Sequence, residues 1–83
     1  MWTGRTFRLG KPILGIELIK GERRAHYIPA DEMVRVVAGP TPTAARLAEI
    51  EWQDHHYSVF VMDLENRAEE IIEPGSTARP SIP

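Results

Sequence analysis

The chain has 83 residues, enough for one domain, with no cysteine and a formal net charge of −2. Disulfide frameworks and thiolate metal sites are therefore excluded, and the basic stripe of a dedicated nucleic-acid binder is absent from the composition. A chain this short buries only about 60% of the surface that its unfolded form exposes, so its core needs close packing or the help of a partner subunit.

Residues 1–10 have no clean periodicity and are expected as an N-terminal arm or an irregular strand. Trp2 and Phe7 are costly to leave exposed together, so at least one should dock on the rest of the chain. The segment lacks the apolar run of a signal peptide, and no run in the chain is long enough to span a bilayer. A cytoplasmic protein that does not enter a membrane is the expectation. The folded domain is expected over residues 11–73, and residues 74–83, with three prolines, as a disordered tail.

Ile13–Ile19 alternates as a strand, with Leu14, Ile16 and Leu18 on one face and Gly15, Glu17 and Ile19 on the other. Lys20-Gly21-Glu22 is a turn signal, and Arg24–Ile28 a short second strand closed by Pro29. Met33–Ala38 is rich in valine, with Val34 and Val36 opposed to Arg35. After Gly39-Pro40-Thr41-Pro42, the segment Ala48–Trp52 sets Ala48, Ile50 and Trp52 against Glu49 and Glu51. Gln53-Asp54-His55 forms a turn and Tyr57–Met62 returns as a strand, completing a hairpin. Asp63–Asn66 suits one 3₁₀ turn, and Ala68–Ile72 the closing strand. Two local preferences compete with this reading. Pro42 followed by helix formers, and the stripe Leu64, Ala68, Ile71 and Ile72, would put helices near residues 43–50 and 63–72 and give an α+β fold.

The order of these elements resembles a family of small bacterial SH3-like proteins with no assigned role. The resemblance rests on Ile28-Pro29-Ala30, the valines of Val34–Val37, Trp52, and Phe60-Val61-Met62-Asp63-Leu64. It spans about Ile13 to Ile72 and implies a mostly β, small five-stranded SH3-like barrel with a 3₁₀ turn before the last strand. Fold carries no function with it. The plasmid-borne type II dihydrofolate reductases are also SH3-like barrels of similar length, active as tetramers around a pore lined by a Val-Gln-Ile-Tyr segment. The corresponding stretch here is Tyr57-Ser58-Val59-Phe60. Ser58 would replace the glutamine and Phe60 the tyrosine, removing polar groups whose loss costs about 1–3 kcal/mol each when their partners stay buried.

No phosphate loop, metalloprotease helix or nucleophile elbow is present, so no catalytic residue and no cofactor is assigned. His26, Asp54, His55, His56 and Asp63 are the available metal ligands. Neighbouring His55 and His56 diverge on a strand, so a site would need His26 brought to the hairpin turn, and a polar turn is the simpler account. The sequence favours a non-enzymatic binding module. Its candidate contact residues are Tyr27, Trp52, His56 and Tyr57. Trp52 shares a face with Ala48 and Ile50 and so competes for a place in the core, whereas Tyr27 lies beside an inward Ile28. Ile19, Val37, Val59 and Val61 fall where alternation would turn them outward, which points to a second copy of the chain or another protein as partner. Nucleic acid is the less favoured partner, because Arg5, Arg8, Lys11, Lys20, Arg23 and Arg24 are balanced by acids elsewhere.

Overall fold

The structure is a computed structural model that describes residues 2–72; the expected tail at 74–83 lies outside the described residues. Seven strands and one helix follow in the order β1 (Thr6–Leu9), β2 (Ile13–Ile19), β3 (Glu22–Ile28), β4 (Met33–Ala38), β5 (Leu47–Trp52), β6 (His55–Phe60), α1 (Val61–Arg67) and β7 (Ala68–Ile71). All ladders are antiparallel, and the sheet order is β3-β2-β6-β5-β4-β1-β7. The described residues are thus mostly β with one short helix. Among the described residues the sheet has seven strands where five were expected, and no ladder joins β3 to β7, so it is open.

Chain connectivity forces this sheet to curl. Four strand spacings separate β2 from β1 in the sheet order, about 19 Å if the sheet were flat. The chain from Leu9 to Ile13 reaches at most about 14 Å. The sheet therefore rolls, and the roll encloses the core. Two backbone hydrogen bonds hold the bend where the β3–β4 link crosses β1: Leu9 N donates to Glu32 O at 2.9 Å, and Asp31 N donates to Leu9 O at 2.7 Å.

Two hairpins supply the central strands. Lys20 and Gly21, with φ of 51° and 81°, join β2 to β3, and Gln53 and Asp54, with φ of 52° and 64°, join β5 to β6. Positive φ at both central residues matches the right-handed twist of the paired strands. The β2–β3 ladder is continuous from Ile13↔Ile28 to Ile19↔Glu22. The β2–β6 ladder that joins the two hairpins runs through Gly15↔Val59 and Ile16↔Ser58.

The core is Phe7, Leu9, Ile13, Ile28, Val34, Val36, Ala48, Ile50, Tyr57, Val59 and Leu64. It bears out the inward placement of Val34, Val36, Ala48, Ile50 and Ile28. Trp2 stacks on Phe7 with ring centroids 5.6 Å apart, so both aromatics of the first ten residues dock. Residues 6–9 are accordingly not an arm. They form a regular strand held between β4 and β7, and the sheet begins at Thr6 rather than near Lys11.

Several expectations are corrected. Val59 is fully buried and Val61 packs against the core, although alternation put both outward. On β2 the faces are reversed: Ile13, Gly15 and Glu17 point in, and Leu14, Ile16 and Leu18 point out. The cause is bulk. A Cβ at Gly15 would stand 3.1 Å from Tyr57 Cβ and 3.2 Å from Ile28 Cδ1, so the bare glycine makes the space that the Tyr57 ring fills. The helix near residues 43–50 is absent, because residues 47–52 are paired on both sides, with β4 and with β6. In front of them Thr41 and Ala44 close a small bridge, in which Ala44 N also donates to Thr41 Oγ1 at 3.0 Å. At the other end, the expected 3₁₀ turn at Asp63–Asn66 and the alternative helix at 63–72 are both replaced by α1, which starts at Val61 and ends at Arg67. Asp63 in its first turn and Arg67 in its last complement the helix dipole and approach each other at 3.7 Å, while Leu64 anchors the helix to the core. Gly10 N and Lys11 N both donate to Arg67 O, so the β1–β2 link closes the end of the helix. Ala68 then turns extended and pairs with Leu9.

Candidate functional site

The four residues expected to form one contact face divide between two sides of the sheet. Tyr27 is 73% exposed, and His56 is exposed beside Glu51. Tyr57, by contrast, is a core residue at 6% exposure, and Trp52 is half-buried against the core. Tyr57 is thereby corrected from surface to core: the alternation of β6 that buries Val59 carries Tyr57 inward with it.

The inner side of the hairpins ends in a polar cluster. Glu17, at 7% exposure, is the buried charged residue among the described residues. Its Oε2 lies 2.8 Å from His55 Nδ1, a hydrogen bond that the Nδ1-protonated ring donates. Its Oε1 lies 3.8 Å from His26 Nε2. Both histidine rings flank the Tyr57 ring, at centroid distances of 6.0 Å and 6.4 Å. Burial, and then the nearby Glu17 charge, push the Tyr57 hydroxyl above its ordinary value. Trp52 Nε1 donates to Glu32 Oε1 at 2.8 Å, which fixes the indole over the same end of the roll. The fold thus brings His26 to the hairpin turn, as a metal site would require. Even so, no group of three or more His, Cys, Asp or Glu among the described residues is arranged to hold a metal ion. Nor does a nucleophile–base pair form here: His55 turns inward to Glu17, while Ser58 lies on the outer side opposite Ile16 and Glu49.

The outer side of the same four strands carries an apolar row. Leu14 pairs with Tyr27, Ile16 with Ala25 and with Ser58, and Leu47 with Phe60. These pairs run across β3, β2, β6 and β5 as one band of side chains. Leu18 is 68% exposed at its margin, and Phe60 and Leu47 are each exposed by about two-fifths. Met62, on α1 just beyond Phe60, is exposed as well. Contiguous apolar surface of this kind marks contact sites rather than ordinary monomer surface. Charges border it: Arg23 on β3 faces Leu18, and Glu49 on β5 faces Ser58.

The basic residues do not form a comparable surface. Arg8, Lys11 and Arg67 share a shallow cleft with Asp31 and Glu69. There Arg8 is 3.5 Å from Glu69, and Arg67 is 3.7 Å from Asp63. Arg5 forms a two-point pair with Glu70, at 3.0 Å and 2.7 Å, and lies over the Trp2 ring. That pairing holds Glu70 below the usual carboxylate range and raises Arg5.

Of this surface the sequence points to Tyr27 but not to Leu14, Leu18, Leu47 or Phe60 as its neighbours. The available signal was apolar residues on both faces of the two hairpins, more than one core can take. The buried Glu17 left no signal, since it reads as the polar member of an alternating strand. Comparison with protein-family models, with curated proteins and with solved structures finds no match to this chain. No helix among the described residues is long and apolar enough to cross a membrane.

Proposed function

We propose that this chain is a non-enzymatic, cytoplasmic SH3-like interaction module that binds protein, in the first place a second copy of itself, through the outer face of β3, β2, β6 and β5. The observation that carries this reading is the band of Tyr27, Leu14, Phe60 and Leu47 with the exposed Leu18 at its margin. A small domain without disulfides gains stability by covering such a band. The SH3-like relation is supported by the two central hairpins, the tight roll, and the short helix that leads into the last strand.

Light scattering on the eluting protein tests the reading. The expected mass is a multiple of the 9.4 kDa chain. Tyr27→Arg, at a position with little buried surface to lose, lowers it to that of a single chain with an unchanged circular dichroism spectrum. A natural chain that stays monomeric at millimolar concentration refutes self-association. Turnover of dihydrofolate with NADPH would instead establish the reductase reading.

A further inference from the structure

The two edges of the sheet carry opposite charge. β3 is exposed from Glu22 to Tyr27 along one edge, β7 forms the other, and among the described residues no ladder joins them. β3 carries Arg23 and Arg24, and β7 carries Glu69 and Glu70. Arg23 and Ala25 lie opposite Leu18 and Ile16 on the outer side, as Glu69 and Ile71 lie opposite Arg8 and Thr6. Arg24 and Glu70 lie opposite Glu17 and Phe7 on the inner side.

Backbone groups decide how such edges can join. Along a strand the N–H and C=O of successive residues turn to alternate sides. The two-residue turn at Lys20-Gly21 closes on Ile19↔Glu22 as a hydrogen-bonded pair, so the even-numbered residues of β3 bond to β2. Arg23 and Ala25 therefore offer their backbone groups at the free edge. Val36 N donates to Arg5 O and Leu9 N to Glu32 O, so the odd-numbered residues of β1 bond to β4 and the even-numbered ones to β7. Thr6↔Ile71 and Arg8↔Glu69 are then the hydrogen-bonded pairs, and Ala68 and Glu70 offer their backbone groups outward. An antiparallel join of β3 to β7 would set Arg23 or Ala25 opposite Ala68 or Glu70, turning the inner face of one copy to the outer face of the other. A parallel join sets odd beside odd and even beside even, and keeps both faces continuous.

We infer that β3 of one copy pairs in parallel with β7 of a second copy, with Arg23 beside Glu69, Arg24 beside Glu70 and Ala25 beside Ile71. Shifting this register by two residues would instead set Arg23 beside Arg67 or Glu22 beside Glu70. On the outer side Glu69 stands between Arg8 of its own chain and Arg23 of the second. Glu70 accepts from Arg5 and keeps lone pairs for Arg24. Two β3 edges joined to each other would gather four arginines, two from each copy, and two β7 edges four glutamates, so each edge selects the other. Every copy carries one edge of each kind, and the contact repeats head to tail. It uses the sheet edges and not the outer face, and so goes beyond the proposed function. Only Arg23 to Ala25 take part, so it forms at millimolar concentration and dissociates on a column.

The chain has no cysteine, so paired cysteine probes read the contact. An Ala25→Cys chain and an Ile71→Cys chain are mixed at millimolar concentration and oxidised. The cross-link between positions 25 and 71 forms at least about tenfold faster than either chain cross-links with itself. Adding Arg23→Glu to the first chain slows it about tenfold, and adding Glu69→Arg to the second restores the rate, because opposite charges again stand side by side. Higher salt weakens both effects. An Ala25→Cys chain that cross-links fastest with itself, a rate indifferent to Arg23→Glu, or no rescue by Glu69→Arg overturns the parallel pairing. The first comparison needs no charge variant, so it decides even where a reversed chain fails to fold. Loss of mass in Tyr27→Arg with no cross-link between positions 25 and 71 removes the edge contact and leaves the outer-face reading. The cross-link in a chain whose mass Tyr27→Arg leaves unchanged removes the outer-face reading and keeps the edge contact.

Discussion

Replacing Gly15 with alanine isolates the packing on which both sides of the hairpins depend. A glycine-to-alanine change in a strand at ordinary φ stabilises by about 0.4–1 kcal/mol, because it restricts the unfolded chain. Gly15 is not among the residues at positive φ, so the backbone itself would accept alanine. Space decides the sign. The new Cβ would lie 3.1 Å from both Cβ and Cδ2 of Tyr57 and 3.2 Å from Ile28 Cδ1. Tyr57 Cβ is fixed to its backbone and moves only with β6. Strand β2 is held in turn by Gly15↔His26 on one side and Gly15↔Val59 on the other. Overpacking of this kind costs about 1–3 kcal/mol. After the gain from the unfolded chain, the net loss is on the order of 1–2 kcal/mol, a fall in Tm of about 5–15 °C for a domain this size. Urea unfolding followed by tryptophan fluorescence and by circular dichroism measures it, with an unchanged slope confirming two-state behaviour. In a Tyr57→Ala background, where the ring is gone, the same change should cost less. A Gly15→Ala variant that is as stable as the natural chain, or more so, would refute the account of why β2 turns its glycine inward.

Two further predictions concern the charged groups. His55→Ala leaves the buried Glu17 carboxylate without its 2.8 Å partner and should cost about 1–3 kcal/mol. Glu17→Gln keeps a hydrogen-bonding group in place, so His55→Ala in that background should cost less, and a double-mutant cycle in urea that finds no coupling would dissociate the two residues. The second concerns pH. Glu70 is held below its ordinary value by its hydrogen bonds to Arg5, so its contribution is present above the unfolded-state value of 4.5 and is lost as pH falls through the folded value. Glu70→Gln should flatten this acid limb of stability, and added salt should shrink the difference. Tyr57 has the opposite sign at the alkaline end. Its hydroxyl is raised above 10.0, so the stability linked to it is full below 10.0 and disappears as pH rises through the folded value. Tyr57→Phe should remove that loss, as read from thermal midpoints across the alkaline range.

Much of the sheet was legible in the sequence because its signals are local. The turns at Lys20-Gly21 and Gln53-Asp54 follow from residues that suit tight turns, and the inward sides of β4 and β5 follow from strict alternation between valine or isoleucine and charge. The helix preference at Thr41–Leu47 failed because propensity is worth a few tenths of a kcal/mol per residue. Pairing with strands on both sides outweighs it. Asp63–Asn66 read too short a helix, since Val61 and Met62 resemble strand residues until β6 is seen to stop at Phe60.

The surface was beyond local reading. Alternation divides β2 into two faces but cannot say which is inside when one carries Leu14, Ile16 and Leu18 and the other Gly15 and Glu17. The sequence by itself determined a mostly β chain with turns in these places and more apolar residues than one core can hold. Only the tertiary structure decided that the excess lies outside. The Tyr57 ring must fill the space opposite Gly15, and Glu17 must reach His55 and His26. The Gly15–Tyr57 and Glu17–His55 contacts join strands from different hairpins, set by long-range packing that no local pattern encodes.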